Sequence, residues 1–112
     1  MIKPIAPYSA FALLDIRVGT VLEAAYLEGA KKPAIMMRID FGELGILQTS
    51  AQVTVFYSPD TMIGKQVLAV VNFDEKRIAG FKSQCLVLGA LCPEGVRLLQ
   101  VDGAVANGTE IA

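Results

Sequence analysis

The chain has 112 residues and a formal net charge of −1, from ten Lys and Arg residues against eleven Asp and Glu residues. The length fits one domain over residues 1–112, and the near-neutral charge excludes binding to nucleic acid by bulk charge alone, so any such binding needs a local basic patch. Hydrophobic residues make up 54% of the chain, above the usual share of about 45–50%, and we expect the excess to be exposed at a homodimer interface.

The first part of the sequence predicts a short helix followed by two strands. Ser9 is a candidate N-cap for a helix over Ala10–Leu14. A long strand follows over Asp15–Leu27, and Gly19 within it permits a bend or a bulge. The next segment, Ala34–Phe41, alternates apolar and polar residues with the period of two that indicates a half-buried strand.

The rest of the sequence predicts four more strands and one small helix. A third strand covers Ile46–Ala51, and Ser58–Asp60 resembles a helix start that closes at Gly64. A fourth strand, Gln66–Phe73, contains a continuous apolar run that is typical of burial on both faces. The last two predicted strands are Ser83–Leu91 and Val96–Val101.

The order of these elements predicts the fold class. Five or six short strands, with one small helix between the third and the fourth, favour a closed or nearly closed β-barrel. Three strands, a helix and then two strands is the layout of an OB-fold. We therefore predict an all-β, five- to six-stranded OB-fold barrel with a short N-terminal helix.

The residues that catalysis requires are scarce in this chain. It has no histidine, which excludes Ser-His and Cys-His arrangements, and Gly64-Lys65 is not a phosphate-binding loop because Gln66 replaces the required Ser or Thr. Cys85 and Cys92 have a spacing that matches no zinc motif, and we expect two reduced, buried thiols. The sequence leaves open a catalytic pair of carboxylates that only the fold would bring together. We predict a protein that is not an enzyme and binds no cofactor or metal.

Hydrophobic runs are too short for a membrane protein. The longest one, Cys85–Cys92, has eight residues, whereas a membrane-spanning helix needs about 20. The start of the chain lacks a secretory signal, because the apolar stretch Ala10–Leu14 is too short. We therefore expect no membrane insertion and a cytoplasmic location.

Two basic segments are candidates for binding an anionic partner. Lys76–Lys82 holds three cations and one aromatic residue, which can replace phosphate counterions and stack on a base. Lys31 and Lys32 lie in the loop between the first two predicted strands, and in OB-folds this loop and the loop between strands four and five flank the binding face. One rim could therefore hold all five cations, Lys31, Lys32, Lys76, Arg77 and Lys82. The alternative is that Lys76–Lys82 is a solvent-exposed hairpin turn and that the lysines are ordinary solubilising side chains.

Polar and soft apolar residues supply two further candidate sets. Ser50 lies at the end of the third strand and Gln52 just after it, where they can hydrogen-bond to sugar or phosphate or simply cap an irregular segment. The rival hypothesis is a groove for apolar peptides, because a surface that contains methionine adapts to varied partners. The candidate groove residues are Met36, Met37, Phe56 and Phe81.

Several motifs in order along the chain resemble a known family. With them, the chain is similar to the tRNA-binding-domain family, and to its CsaA-like branch, over a core of residues 11–111. The resemblance implies an OB-fold that forms a homodimer through its terminal segments and binds tRNA by shape, without catalysis. The alternative that it implies is a chaperone for unfolded preproteins in protein export. The motifs are Asp15–Val21, Lys32–Ala34, Ile39–Gly42, Gln48–Thr54, Val70–Phe73 and Arg77–Ser83.

The resemblance also points to particular site residues. The family's tRNA-contacting motif, Arg-x-x-Gly-x-x-Ser-Gln, matches Arg77, Gly80, Ser83 and Gln84. Combined with the basic and polar candidates, this gives a predicted RNA-binding set. That set is Lys31, Lys32, Ser50, Gln52, Lys76, Arg77, Gly80, Lys82, Ser83 and Gln84.

Overall fold

Four strands of one antiparallel sheet form the frame of the molecule, in a computed structural model that describes residues 1–112. Consecutive strands β1, β2 and β3 pair in sequence order, and β4 pairs with the other side of β1. Three of the four lie within two residues of their predicted ends; β4 stops three residues short of its predicted end. Their bounds are Ile16–Tyr26 for β1, Ile35–Asp40 for β2, Ile46–Ala51 for β3 and Gln66–Val70 for β4.

The remaining elements are short. Two small hairpins follow β4, β7 extends the sheet beyond β4, and β10 pairs with the first two residues of the inner strand β1. The two helices have only five and four residues, and no helix is long and apolar enough to cross a bilayer. The bounds are α1 Tyr8–Ala12, α2 Pro59–Met62, β5 Lys76–Ile78, β6 Phe81–Ser83, β7 Leu86–Val87, β8 Gly89–Leu91, β9 Val96–Leu98 and β10 Glu110–Ile111, with a 3-10 turn at Gly42–Leu44.

The two ends of the sheet approach each other next to β3. The backbone N–H of Gln84 donates to the carbonyl oxygen of Gln48 at 2.8 Å, and the Gln84 side-chain oxygen accepts from the Gln48 backbone N–H at 3.0 Å. Because these bonds join β3 to the segment between β6 and β7, the sheet is a nearly closed barrel. The predicted all-β OB-fold barrel is confirmed, and so is the small helix between the third and fourth strands.

The core fills the barrel from the inward faces of these strands. The alternation predicted for β2 is confirmed, since Ile35, Met37 and Ile39 are fully buried. Gly19 has a different role from the predicted bend: a Cβ there would lie 2.7 Å from the Phe41 ring, and the register shift of β1 occurs instead between Val21 and Glu23. The core residues are Val21, Ile35, Met37, Ile39, Phe41, Val53, Met62, Val67, Ala69 and Cys85.

Three local predictions were wrong. Helix α1 begins earlier than expected, with Pro7 rather than Ser9 as its N-cap, because Tyr8 and Ser9 are already helical and the Ala10 N–H donates to the Pro7 carbonyl oxygen. The predicted strand Ser83–Leu91 is divided among β6, β7 and β8. Cys85 is buried as expected, whereas Cys92 is only half-buried, in the turn between β8 and β9.

Candidate nucleic-acid interface

The basic segment Lys76–Lys82 lies within the β5–β6 hairpin; it was predicted as a loop-like segment, with a solvent-exposed hairpin turn as the alternative. Its two-residue turn consists of Ala79 and Gly80, which have φ values of 51° and 79°. Positive φ at both central residues is the requirement of a type I′ turn, whose twist matches that of two antiparallel strands. Nothing lies within 4 Å of a Cβ placed on Gly80, so the reason for glycine there is its backbone conformation.

The register of this hairpin determines where its charges lie. Arg77 pairs directly with Lys82, so two cations share one face, while Lys76 pairs with Ser83 on the other face. Like charges opposite each other destabilise a strand pair. The carboxylate of Glu75 lies 3.6 Å from the Lys82 ammonium and offsets only part of this repulsion. An anionic ligand on that face would relieve the rest.

Polar contacts with β3 attach the hairpin to the barrel. The Gln48 side-chain amide donates to the Lys82 carbonyl oxygen at 2.8 Å, and the Thr49 hydroxyl donates to the Cys85 carbonyl oxygen at 2.6 Å. The Ser83 and Thr49 hydroxyl oxygens are 2.9 Å apart. The predicted contact residue Ser83 therefore also helps to fix the hairpin, as Gln84 does. Gln48 and Thr49 were not predicted to have this role, although the polar character of their strand was visible.

One side of the hairpin faces the loop between β1 and β2. Between them lies a cleft of about 400 Å³, which we call the loop cleft. It brings Lys31 and Lys32 of the predicted set to the same opening as the hairpin turn, with Gln52 also in its wall. The lining residues are Gly29, Ala30, Lys31, Lys32, Gln52, Ile78 and Ala79.

A second cleft, of about 320 Å³, borders the hairpin on the side of β3, and we call it the strand cleft. Ile78 lines both clefts, so the hairpin separates them. Phe73 and Asp74 also line the strand cleft. They were missed as site residues, since in the sequence they only come at and just after the end of an apolar strand. The lining residues are Thr49, Ser50, Phe73, Asp74, Lys76, Ile78, Ser83, Cys85 and Leu86.

The hairpin therefore divides the predicted set. Lys31, Lys32 and Gln52 line the loop cleft, and Lys76, Ser50 and Ser83 line the strand cleft. Strand alternation turns the Arg77–Lys82 pair away from Lys76, and neither residue lines a cleft. The structure thus brings the two basic loops together but not all five cations to one point.

The residues predicted to form a peptide groove do not share a surface. Met37 is fully buried in the core, so its assignment to a groove is corrected. Met36 is on the opposite face of β2, Phe56 lies under the Arg97 guanidinium at 3.8 Å from the ring centre, and Phe81 is on the hairpin. A more apolar cleft of about 420 Å³ exists beside β7, and none of these four residues lines it. It is lined by Ser50, Ala51, Gln52, Val53, Leu86, Val87, Leu88, Gly89, Leu91, Val96 and Leu98.

The strand cleft contains no activated nucleophile. Burial raises the pKa of the Cys85 thiol to about 12, and a weaker opposing effect comes from hydrogen bonding with Thr49. The thiol therefore stays protonated at neutral pH. No group of three or more His, Cys, Asp or Glu side chains is close enough together to hold a metal ion.

Comparison with known sequences places the chain among tRNA-associated proteins. Residues 16–110 match the family model described as a putative tRNA binding domain. The chain is 36% identical over 109 residues to the methionine–tRNA ligase of Methanothrix thermoacetophila. That match covers 97% of this chain but only 16% of the ligase, so the chain spans a small part of that relative.

Solved structures show the same fold over nearly the whole chain. The chaperone CsaA of Bacillus anthracis is 49% identical, with a TM-score of 0.93 and coverage of 97% of this chain and 100% of that one. The CsaA chaperone protein of Picrophilus torridus is 44% identical, with a TM-score of 0.91 and coverage of 96% and 100%.

Proposed function

Because this chain belongs to the putative tRNA binding domain family, in its CsaA-like branch, we propose that it binds tRNA through the β5–β6 hairpin and the two flanking clefts. The family and these neighbours are binding and chaperone proteins, so the chain is not an enzyme. The observation that carries the proposal is the loop cleft, in which the Lys31–Lys32 loop faces the hairpin turn.

The proposed mechanism is electrostatic positioning on a folded RNA. Four lysines and one arginine, on the two faces of the hairpin and on the β1–β2 loop, contact phosphates along a curved backbone, and polar groups add hydrogen bonds to phosphate or ribose. Ser50 and Gln52 make no side-chain hydrogen bond within the chain and are free to do so. The proposed phosphate contacts are Lys31, Lys32, Lys76, Arg77 and Lys82, and the proposed polar contacts are Ser50, Gln52, Ser83 and Gln84, with Gly80 shaping the turn.

A homodimer would present two such surfaces. Residues 1–13 are all exposed, and α1 buries no residue against the barrel. A five-residue helix is not stable in water without a packing partner, so we propose that a second copy covers this segment. Two hairpins on one particle would raise avidity for one tRNA in the cytoplasm. The uncovered apolar side chains are Met1, Ile2, Ile5, Tyr8, Phe11 and Leu13.

The test is a tRNA titration of nuclease-treated protein by fluorescence anisotropy at about 50 and about 200 mM salt. We expect Lys76→Ala/Arg77→Ala to weaken binding and to lower the slope of log affinity against log salt by about 1 to 2. The matched control is Lys65→Ala/Arg97→Ala, which removes the same charge from side chains that line neither the loop cleft nor the strand cleft. Absence of binding by the wild type at low salt would overturn the proposal.

The apolar cleft beside β7 supports a second candidate, a chaperone that binds apolar segments of unfolded preproteins. The likeness to two CsaA chaperones points the same way. Binding of an apolar peptide should depend little on salt, because it releases no condensed counterions. It should also survive Lys76→Ala/Arg77→Ala. The same variant therefore separates the two functions.

A further inference from the structure

The walls of the strand cleft differ from what a phosphate site needs. One wall is apolar and includes Phe73, whose side chain is 47% exposed, together with Ile78 and Leu86. A carboxylate, Asp74, lies beside Phe73 in the chain and lines the same cleft. A carboxylate repels phosphate, so its position on a proposed RNA surface requires another explanation.

The polar groups around this cleft are available for a ligand. Asp74 and Lys76 form no ion pair, and Asp74 and Ser50 make no side-chain hydrogen bond within the chain, whereas Thr49 and Ser83 are engaged with each other. A small apolar cleft with a few uncommitted polar groups is the usual form of a ligand pocket, and about 320 Å³ lies at the lower end of the usual range of about 300–1,000 Å³.

Resting on the tRNA binding proposed above, we propose that the strand cleft receives one unpaired guanine base of the RNA. Phe73 stacks on the base, as aromatic side chains do with splayed-out bases in RNA loops. The Asp74 carboxylate accepts hydrogen bonds from the adjacent N1–H and N2–H of guanine, which is the only common base with two neighbouring donors on that edge. Lys76 neutralises the flanking phosphate.

The proposal and simple electrostatics predict opposite changes in tRNA affinity when the charge of Asp74 is removed. If Asp74 is only a surface charge, Asp74→Asn removes repulsion and strengthens tRNA binding. If Asp74 accepts two hydrogen bonds from guanine, the same substitution weakens binding by about fivefold or more, the lower end of a bidentate base contact. Glu75→Gln is the control for charge alone: it makes the same charge change at the next residue, which pairs with Lys82 and does not line the cleft, so we expect it to strengthen tRNA binding.

The experiment combines this pair of variants with mononucleotides. GMP, CMP, AMP and UMP are titrated separately into ¹⁵N-labelled protein, and amide shifts at Thr49, Ser50, Asp74 and Ser83 report the cleft directly. We expect GMP to bind about fivefold or more tightly than the other three, and Asp74→Asn to abolish that preference while Glu75→Gln keeps it. Asp74 is exposed and unpaired, so an unchanged thermal midpoint is expected to show that the variant folds.

The outcomes separate this inference from the proposed function. Salt-sensitive tRNA binding that Asp74→Asn strengthens, with no preference among the nucleotides, would overturn the guanine site and leave tRNA binding intact. A GMP-specific shift without tRNA binding would support the site and overturn the proposed function. Shifts of the same amides by an apolar peptide, with none from any nucleotide, would overturn the guanine site in favour of a peptide side chain.

Discussion

The four-stranded frame and the β5–β6 hairpin are both antiparallel β-structure, but different interactions stabilise them. Every strand of the frame has at least one buried residue, and several residues such as Ile35 and Val67 are completely inaccessible. No residue of the hairpin is buried, and Lys76 and Arg77 are exposed. Instead, two hydrogen bonds join the hairpin to β3. The Gln48 side-chain amide donates to the Lys82 carbonyl oxygen, and the Thr49 and Ser83 hydroxyls bond to each other.

The comparison explains how a nearly neutral protein can present a basic site. A two-stranded hairpin is marginal on its own in water, and opposed cations weaken it further. The frame supplies stability through burial, so the hairpin can carry charges and a turn that serve binding. Substitutions should therefore separate the two regions: changes in the frame affect stability, and changes in the hairpin affect binding.

The largest expected effect comes from a pair of identical truncations. Phe41→Ala removes a fully buried ring from the core and should lower the free energy of unfolding by about 3–5 kcal/mol. Phe73→Ala, at a half-exposed ring beside the hairpin, should cost about 1 kcal/mol or less. Urea denaturation measures both. Equal losses would show that the division between frame and hairpin region is wrong.

A smaller effect is expected where the two regions meet. Thr49→Val removes the hydroxyl that donates to the buried Cys85 carbonyl oxygen, and should cost about 1–3 kcal/mol because Ser83, at 3.4 Å, is a poor substitute donor. Affinity for tRNA should fall without a change in its salt slope, since no cation is lost. Thr49→Ser keeps the hydroxyl and serves as the control. A lower salt slope in Thr49→Val would contradict a purely positioning role.

The pH dependence of stability should report the burial of Cys85. Its pKa is about 12 in the folded chain against 9.0 ordinarily, so between these values the native state keeps a proton that the unfolded state releases. Stability is therefore unaffected below pH 9 and falls as pH rises toward 12, by about 1.4 kcal/mol per pH unit from this group. Cys85→Ala should remove that part of the slope. An unchanged slope in Cys85→Ala would contradict this assignment.

The smallest expected effect is at the hairpin turn. Ala79 is the one non-glycine residue with positive φ, a conformation that costs about 1–2 kcal/mol for a residue with a Cβ. Ala79→Gly removes this strain but adds unfolded-state entropy, so we expect a net gain of about 0.5 kcal/mol in thermal unfolding. Ala104→Gly, at an exposed residue without positive φ, should give no gain. Destabilisation by Ala79→Gly would mean that the alanine methyl group contributes a needed contact.

Much of the frame was predictable because its signals are local. The alternation in Ala34–Phe41 and the apolar run in Gln66–Phe73 reflect which side chains are buried, and the helix start at Ser58–Asp60 is a short-range motif. The sequence offered a hairpin turn only as an alternative and did not predict its strands, because β5 and β6 have three residues each and no buried side chain, so no apolar periodicity marks them. The breaks in the strand predicted over Ser83–Leu91 were missed for a different reason: the apolar run Cys85–Cys92 is typical of one continuous strand, and the division into β6, β7 and β8 depends on distant pairing partners.

The candidate site was predictable in residue type but not in arrangement. The cations and the motif from Arg77 to Gln84 stand out in the sequence, and the structure does bring the Lys31–Lys32 loop to the hairpin turn. Asp74 and Phe73 carry no motif, and only their place in the strand cleft makes them candidates. Met37 shows the opposite error, since it was assigned to a peptide groove and is buried in the core. In an alternating strand, a shift of one residue moves a side chain from the core face to the surface face.

The all-β class, the order of the main strands and the absence of histidine chemistry follow from the amino-acid sequence alone, because hydrophobic period and residue type are properties of short segments. The near closure of the barrel, the strands of the hairpin and the two clefts beside it are visible only in the folded chain. These features depend on pairs such as Gln48 and Gln84, which are 36 residues apart in the chain. Contacts over such distances form only when the whole fold brings the partners together, so no local pattern encodes them.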